Sequence, residues 1–412
     1  MNHWKEYGFE PETSHSLSIE NGRKEIIYAY EKLPLHDTFA RKNYPLKNGD
    51  AAQFLRSIEP YIPQTLISGQ NYTEIKNLAR HFDGGVTSFF GFESRLNVSD
   101  ARSDYLFAIS SKRGEREIIA RLIKSGQLPD SFTRQPEWQR VRDFILEWTD
   151  SNSVLYNTVL GVWFEFDMDE SIEKSPVPSI FLHTITFKRE SLGDPNKIHW
   201  LTHQALPLLS GQQLPEKIEQ RLVQCIQNLP REANITQFGV MLSRSVQGMR
   251  IVVNRIQPKE ILPYLQTLGW SEGTNELSSL LIELEQQVTR FSLNIDVLEN
   301  GIGPKIGIEC SYYPSHHDQY EPEPRWLSFF DYLMKKNLCL QEKRDGLVDY
   351  LPEGKAEYQD YVHTPLIIAT KIAHDTEATM LIRQMGHIKI VYQPNRPLEA
   401  KGYFGARLFG NT

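Results

Sequence analysis

The sequence has few cysteines and no long hydrophobic run. Among its 412 residues only Cys225, Cys310 and Cys339 are cysteines. Three widely spaced cysteines form no disulfide framework, and such sparse use is typical of a reducing compartment. The N-terminus lacks the apolar core of a signal peptide, and no segment approaches the roughly 18 apolar residues that span a bilayer. These absences predict a cytoplasmic protein with no membrane partner.

An excess of positive charge is also missing. Lys and Arg number 45 against 52 Asp and Glu, which gives a net charge of −7 at pH 7. General nucleic-acid binders usually carry a basic surface, so no nucleic-acid partner is expected. The sequence also lacks a Gly-rich phosphate loop, a Walker-type lysine, Cys–His zinc spacing and a Gly-x-Ser-x-Gly turn. The function must therefore be sought in the fold.

What the sequence does contain is a structural repeat. From about residue 50, two helix-like segments and then two strand-like segments recur five times. The last two strands are predicted at His387–Gln393 and Leu398–Phe409, and Glu299–Pro304 is predicted as a turn before a strand that starts at Lys305. No flexible linker divides the chain. We therefore expect one domain over residues 50–412, with residues 1–49 as an N-terminal extension packed on it. Two ordinary α+β domains are the alternative.

Ten strands in five hairpins leave exposed edges unless the sheet closes. Antiparallel strands with helices along one face close naturally into a barrel. The predicted fold is therefore α+β, a ten-stranded antiparallel barrel built from five ααββ repeats with the helices outside.

The predicted strands alternate between an apolar and a polar face. If the helices cover the apolar face, the polar face lines the lumen. An open sheet with one wet face would give the same alternation in a single strand, but a polar lumen explains the repetition along successive strands. The charged positions on these polar faces are Glu165, Asp167, Arg250, Asp296, Lys305, Glu309, Lys389, Glu399, Lys401 and Arg407.

This architecture resembles that of the ABBA-type (PT-barrel) aromatic prenyltransferases, over most of the chain from about Asp50 to Phe409. The resemblance depends on the repeat rather than on a diagnostic motif. It implies that the lumen binds a prenyl diphosphate and an aromatic acceptor. In that family Lys and Arg side chains hold the diphosphate, Tyr rings shield the allylic cation, and a carboxylate near the first strands holds the acceptor. The resemblance requires no cofactor, and the acidic lumen leaves Mg²⁺ open.

The resemblance assigns roles to individual residues. Glu93, within Gly91–Arg95, is similar to the acceptor-binding carboxylate. Lys401 and Tyr403 are similar to the family's alternating Lys/Tyr pattern. The expected diphosphate-binding residues are Arg250, Lys305, Lys389, Lys401 and Arg407, and the expected cation shield is Trp163, Tyr313 and Tyr403. The sequence departs from the family pattern where the strand Ser179–His183 lacks the expected Lys-x-Tyr.

Further catalytic candidates come from the lumen-facing acids and histidines. Glu165 and Glu309 could act as acid and base, or could form salt bridges with Arg250 or Lys305. His183, like His387, is predicted to face the lumen as a general base or as a hydrogen-bonded barrel residue. A metal site in the acidic turn at residues 167–170 is the less favoured interpretation, so no metal ligand is assigned.

The leading hypothesis is a prenyltransferase of natural-product biosynthesis. It would move an allylic group from a prenyl diphosphate to an aromatic or peptide-borne acceptor. A carbocation cyclase with a carboxylic acid proton donor, and a non-catalytic ligand-binding barrel, are the alternatives, because one fold can host several activities.

Overall fold

Ten antiparallel strands form a closed barrel. The computed structural model describes residues 49–112, 114–168, 176–193, 196–244, 248–312, 325–351 and 379–410. Each strand pairs with its neighbours in sequence, and the last strand pairs with the first to close the ring. The strands are β1 (Phe89–Arg95), β2 (Ser103–Ser110), β3 (Val159–Phe166), β4 (Pro178–Phe187), β5 (Asn234–Val240), β6 (Met249–Asn254), β7 (Arg290–Leu298), β8 (Gly301–Ser311), β9 (Thr379–Tyr392) and β10 (Glu399–Gly410).

Helices precede every hairpin, so the predicted five-fold repeat and fold class are confirmed. The helices are α1 (Ala52–Ile58), α2 (Gly69–Ala79), α3 (Glu115–Ser125), α4 (Asp130–Thr133), α5 (Pro136–Trp148), α6 (Leu155–Thr158), α7 (Asn196–Trp200), α8 (Leu206–Ser210), α9 (Glu216–Gln227), α10 (Pro258–Thr267), α11 (Thr274–Glu285), α12 (Arg325–Lys335) and α13 (Gln341–Tyr350). A π-helical turn, Leu201–Ala205, joins α7 to α8, and short 3₁₀ turns occupy Glu59–Tyr61 and Arg189–Gly193. None of the helices described combines the length and apolarity needed to cross a bilayer.

The core lies between the barrel wall and the helices. The ring of Phe92 in β1 packs against Tyr72 of α2, with the ring centroids 6.1 Å apart. Phe164 in β3 packs against Trp138 of α5 in the same way. These outward side chains are fully or almost fully buried. Because successive side chains of a strand point to opposite faces, the residues between them face the lumen.

The predicted strand boundaries were wrong in β8 and β9. Strand β8 begins at Gly301, inside the predicted turn, because an irregularity in its pairing with β7 accommodates Pro304, which has no N–H to donate. Strand β9 begins at Thr379 rather than His387, and its pairing with β10 shifts near Gly386. Such a shift interrupts the alternation from which a strand is recognised. Residues 1–48 of the predicted N-terminal extension lie outside the described residues.

Candidate active site

The polar faces of the strands supply the lumen with charged side chains. Neighbouring strands run in opposite directions, so all five within-hairpin turns lie at one end of the barrel, here called the hairpin end. Most of the charged lumen residues lie towards this end. Glu93 of β1 is opposite Tyr403 of β10 in register, and Lys401 is opposite Lys389 of β9. The closure of the barrel therefore brings residues from both ends of the chain into one site.

Glu93, Lys389, Lys401 and Tyr403 form a nearly buried cluster, here called the lysine–carboxylate cluster. Lys401 donates to Glu93 Oε1, and Lys389 Nζ lies 3.4 Å from Glu93 Oε2. Lys389 also donates to the Tyr403 hydroxyl, and its Nζ lies 4.5 Å from the centroid of the Tyr403 ring. Two ammonium groups, one carboxylate and one aromatic face thus meet at a single point of the lumen.

The charges within this cluster determine its protonation. Burial acts to raise the pKa of Glu93, but the charges of Lys389 and Lys401 prevail and hold it well below its usual range. Burial lowers the pKa of Lys389, whereas for Lys401 the nearby Glu93 outweighs burial and raises the pKa. The carboxylate is therefore ionised, and Lys389 is the less securely protonated of the two lysines.

A second group lies beside Tyr403 and contains His387, Glu309 and Asn294. The imidazole of His387 stacks on the Tyr403 ring, with centroids 4.2 Å apart and 22° between the ring planes. His387 Nε2 lies 3.7 Å from Glu309 Oε1, which accepts a 2.7 Å hydrogen bond from the Asn294 amide. Burial lowers the pKa of His387. The pKa of Glu309 is also lowered, because His387, Lys389 and Asn294 outweigh burial.

Arg250 of β6, near the hairpin end, is paired with an aspartate. Arg250 donates two hydrogen bonds to Asp296, of 2.8 and 3.1 Å. The alternative that Glu165 or Glu309 binds Arg250 or Lys305 was wrong. The register of β6 and β7 places Asp296 directly opposite Arg250, and Lys305 Nζ lies 3.8 Å from Glu399.

Two further lumen carboxyls have no cationic partner in hydrogen-bonding range among the residues that the structure describes. Glu165 makes no hydrogen bond within the described part of the chain, and Asp104 accepts one from the backbone N–H of Met168 at 2.9 Å. Burial raises the pKa of each to about 7. Both are therefore partly protonated near neutral pH. Sequence reasoning missed Asp104, although its place opposite Glu93 on a neighbouring strand carried the signal.

Arg244 and Asn294 were also missed. Arg244 follows the end of β5 and donates to both carboxylate oxygens of Asp167, at 3.0 and 2.7 Å. It lies outside any strand, so no alternation marks it. Asn294 does lie on the predicted polar face of β7, but a neutral amide is not distinguished there by residue type.

The lumen wall away from the hairpin end carries aromatic side chains. Trp163 packs edge-on against Phe89, with centroids 5.2 Å apart, and the Arg407 guanidinium lies 5.2 Å from the Phe89 ring. Arg407 is therefore distant along β10 from Lys401, and the expected diphosphate-binding residues do not all converge. His183 lies opposite Gly161 and Gln237 in register. Tyr313 lies outside the described residues.

The described residues contain no group of three or more His, Cys, Asp or Glu side chains placed to hold a metal ion. Asp167, a candidate in the acidic turn, is engaged by Arg244 and by Ser243, whose hydroxyl donates to it at 2.9 Å.

Comparison with known proteins identifies the architecture. No family model matches this sequence, and no curated protein matches it. Solved structures do match: the apo form of the prenyltransferase PriB superposes with a TM-score of 0.50 and 9% identity, covering 86% of this chain and 94% of that one. The chain has the prenyltransferase barrel fold. The matches include AnaPT from Neosartorya fischeri, with a TM-score of 0.47, 11% identity, and coverage of 86% and 92%.

The prenyltransferase barrel confirms the predicted resemblance to the ABBA-type enzymes in architecture. A third match, 5-dimethylallyltryptophan synthase from Streptomyces coelicolor, has a TM-score of 0.44 and 10% identity, covering 86% of this chain and 95% of that one. At such identities the likeness shows the fold alone, and the roles of the lumen residues do not follow from it. What they do must be argued from their contacts.

Proposed function

We propose that this protein transfers a prenyl group from an allylic diphosphate to an aromatic acceptor, free or peptide-borne, inside the barrel. The observation that carries the proposal is the lysine–carboxylate cluster with Tyr403 at its edge. Prenyl transfer needs cations at the leaving group and a π-rich, water-poor wall at the carbocation. In support, the cluster places two ammonium groups beside the Tyr403 ring.

Lys389 and Lys401 are the proposed diphosphate-binding residues. Both ammonium groups are directed at Glu93. A diphosphate offers more negative charge than one carboxylate, so it would draw the two lysines to its own oxygens. It would also favour the protonated form of Lys389, which burial disfavours. Arg250 is close enough to influence the pKa of Lys389 and would add to the positive field.

Release of the lysines would free Glu93 for the acceptor. Its carboxylate would then accept a hydrogen bond from an acceptor N–H or O–H, which increases the electron density of the ring. The allylic C–O bond breaks, the electron pair leaves with the diphosphate, and the ring carbon of the acceptor forms the new C–C bond. The Tyr403 ring and, further along the wall, Trp163 would shield the cation from water.

The test combines turnover with binding. Dimethylallyl and geranyl diphosphates are incubated with a panel of indoles and phenols, and alkylated product and released diphosphate are measured. Lys401→Met and Lys389→Met keep side-chain length but remove charge. We expect each to lower kcat/KM by about 100-fold or more, because leaving-group stabilisation is lost. The same variants should lose affinity for inorganic pyrophosphate in calorimetry.

Lys336→Met is the matched control. Lys336 lies in the outer layer of the molecule and pairs with Glu283 at 2.6 Å. This variant should keep both turnover and pyrophosphate binding. If the unsubstituted protein released no diphosphate from either donor and bound no pyrophosphate, the proposed function would be rejected.

A second candidate function rests on the pKa of Glu165. A carboxylic acid with a pKa of about 7 and no hydrogen-bond partner among the described residues can donate a proton to an alkene, which starts a carbocation cyclisation. The cation would later lose a proton to restore neutrality. Conversion of a prenyl substrate without diphosphate release, abolished in Glu165→Gln, would favour this function over prenyl transfer.

A further inference from the structure

The two nitrogens of His387 lie in different surroundings. Nε2 is buried, makes no hydrogen bond with the described residues and faces Glu309 Oε1 at 3.7 Å. A quarter of the side chain is still exposed, and Nδ1 is not enclosed as Nε2 is. Because this residue lies on the polar face of β9, the accessible part of the ring borders the lumen.

Glu309 favours one tautomer of this ring. Asn294 holds Glu309 Oε1 at 2.7 Å, which fixes the carboxylate beside Nε2. A carboxylate stabilises an N–H directed at it, so the proton of the neutral ring belongs on Nε2. The lone pair is then on Nδ1, at the accessible side. In this tautomer the Glu309 carboxylate faces one side of the His387 ring, and the proton-accepting Nδ1 lies on the other.

The charges that face His387 come from four strands. Glu309 of β8 and Glu93 of β1 act to raise the pKa of the imidazole, whereas Lys389 of β9 and Arg290 of β7 act to lower it. Burial is the largest influence and lowers the pKa below its usual value. Near pH 7 the ring is therefore neutral and able to accept a proton.

We propose that His387, positioned by Glu309, is the catalytic base that removes the acceptor's proton after prenyl transfer. This inference rests on the proposed function. Alkylation of an aromatic carbon leaves an arenium cation; its C–H bond breaks, the electron pair restores the ring, and the proton goes to His387 Nδ1. The resulting imidazolium is stabilised by Glu309 and returns its proton to water on product release.

Position selects His387 among the lumen groups, and basicity favours it over Glu93. Its ring covers one face of Tyr403, and Tyr403 also contacts Lys389, a proposed diphosphate-binding residue. The base would thus lie next to the site of ionisation. Glu93 is a far weaker base, because two ammonium groups hold its pKa well below the usual range.

The kinetic test separates proton removal from ionisation of the donor. With dimethylallyl diphosphate and an indole or phenol that the protein alkylates, His387→Asn should lower alkylation by about 100-fold. Diphosphate release should fall less, so dimethylallyl alcohol should increase relative to alkylated product. An acceptor deuterated at the alkylated carbon should show a larger isotope effect in the variant, because proton removal has become slow.

The pH profile supplies a readout that a purely structural role would not change. The unsubstituted protein should lose activity as the pH falls through the pKa of His387, and this limb should disappear in His387→Asn. Glu309→Gln should move the limb to lower pH, because the imidazolium loses its carboxylate. His81→Asn is the control, since His81 also has a pKa lowered by burial but packs edge-on against Phe132 in the outer layer.

Nitrogen NMR of labelled histidine tests the geometry without turnover. The resonances lost in His387→Asn should show the Nε2–H tautomer at pH 7. A dominant Nδ1–H tautomer would overturn the proposal, as would a His387→Asn variant with unchanged alkylation, isotope effect and pH profile. An unsubstituted protein that released no diphosphate would instead count against the proposed function, while the tautomer would still be measured.

Discussion

Carboxyl groups of one lumen differ in protonation according to their partners. Lys389 and Lys401 lower the pKa of Glu93 and hold it ionised. His387, Lys389 and the Asn294 amide do the same for Glu309. Glu165 and Asp104 lie nearby with no such partner in the described part of the chain, and burial raises the pKa of each to about 7. The same kinds of side chain therefore serve in two ways: Glu93 and Glu309 as anions that bind cations, and Glu165 and Asp104 as acids that can donate protons.

This difference predicts that Glu165 and Glu309 affect the pH dependence of stability in opposite directions. The folded-state pKa of Glu165 is raised from 4.5 to about 7, so this carboxyl costs stability progressively as the pH rises from 4.5 to about 7, and the cost is constant above that. Glu165→Gln removes this cost. Relative to the unsubstituted protein, the variant should gain up to about 3 kcal/mol of unfolding free energy between pH 4.5 and pH 8. Urea unfolding at the two pH values measures the gain.

Glu309→Gln is the matched comparison. The folded-state pKa of Glu309 is lowered, so its ionised form contributes stability above the normal Glu pKa, and this contribution is lost as the pH falls. The amide variant should therefore be less stable at pH 8, and its deficit should shrink in acid. Identical pH dependence in the two variants would contradict the assignment of their protonation.

The sequence predicted which residues face the lumen but not how they pair. Alternation along a strand is local, and it placed Lys389 and Lys401 on the inner wall, whereas Glu93 was assigned from the family resemblance. Their contact depends on the register between strands far apart in sequence, since Glu93 and Lys401 are separated by 308 positions. The pairing of Arg250 with Asp296 depends on register in the same way.

At the scale of elements, neighbouring strands determine which side chains fit the lumen wall. Gly239 of β5 is paired with Phe181 of β4, and the Phe181 ring lies over the position that a Cβ of residue 239 would occupy. Because Gly239 has no side chain, the Phe181 ring can occupy this space on the lumen wall. Sequence alternation alone would accept any side chain at residue 239.

Substitution at Gly239 should be costly only while the ring is present. Gly239→Ala forces Phe181 to move, and we expect a loss of about 1–3 kcal/mol of unfolding free energy. In the Phe181→Ala background the loss should nearly vanish, which a double-mutant cycle measures. Gly69→Ala is the control, because a Cβ there meets only Gln64 Oε1, at 3.4 Å. Equal losses in both backgrounds would contradict this packing.

The errors in element boundaries have a physical origin. The predicted strands ended where the hydrophobic alternation was interrupted, at Pro304 in β8 and near Gly386 in β9. In the structure each interruption is a shift in the register of strand pairing. The strand continues beyond the shift and remains paired with the same neighbour. Only the neighbouring strand, and not the local sequence, reveals such continuity.

At the scale of the whole molecule, the last helix pair contacts the first module, just as the last strand pairs with the first. The backbone N–H of Leu340 donates to the carbonyl of Leu96 at 2.9 Å, and the Tyr350 hydroxyl donates to the carbonyl of Gly405 at 2.8 Å. Gly346, within α13, packs against the segment that contains Thr65 and Leu66. The last helix pair is therefore joined to the first module and to the final strand.

Gly346→Ala tests this contact against helix propensity. Alanine in a helix is favoured over glycine by up to about 1 kcal/mol, yet a Cβ at residue 346 would lie 2.6 Å from Thr65 Oγ1 and 3.2 Å from Leu66 Cγ. We expect the crowding to dominate and the melting temperature to fall by a few degrees. Asp349→Ala, on the exposed side of the same helix, is the control. A raised melting temperature in Gly346→Ala would disprove tight packing.

Pairing of the first strand with the last has a consequence during biosynthesis. Ribosomes add about 5–20 residues per second, so roughly 15 to 60 seconds separate the emergence of Glu93 from that of Lys401. Throughout that interval the nascent polypeptide has an open sheet with two unsatisfied edges. The lysine–carboxylate cluster therefore cannot form until the C-terminal hairpin has been synthesised, and until the sheet closes its exposed edges are templates for pairing with other chains.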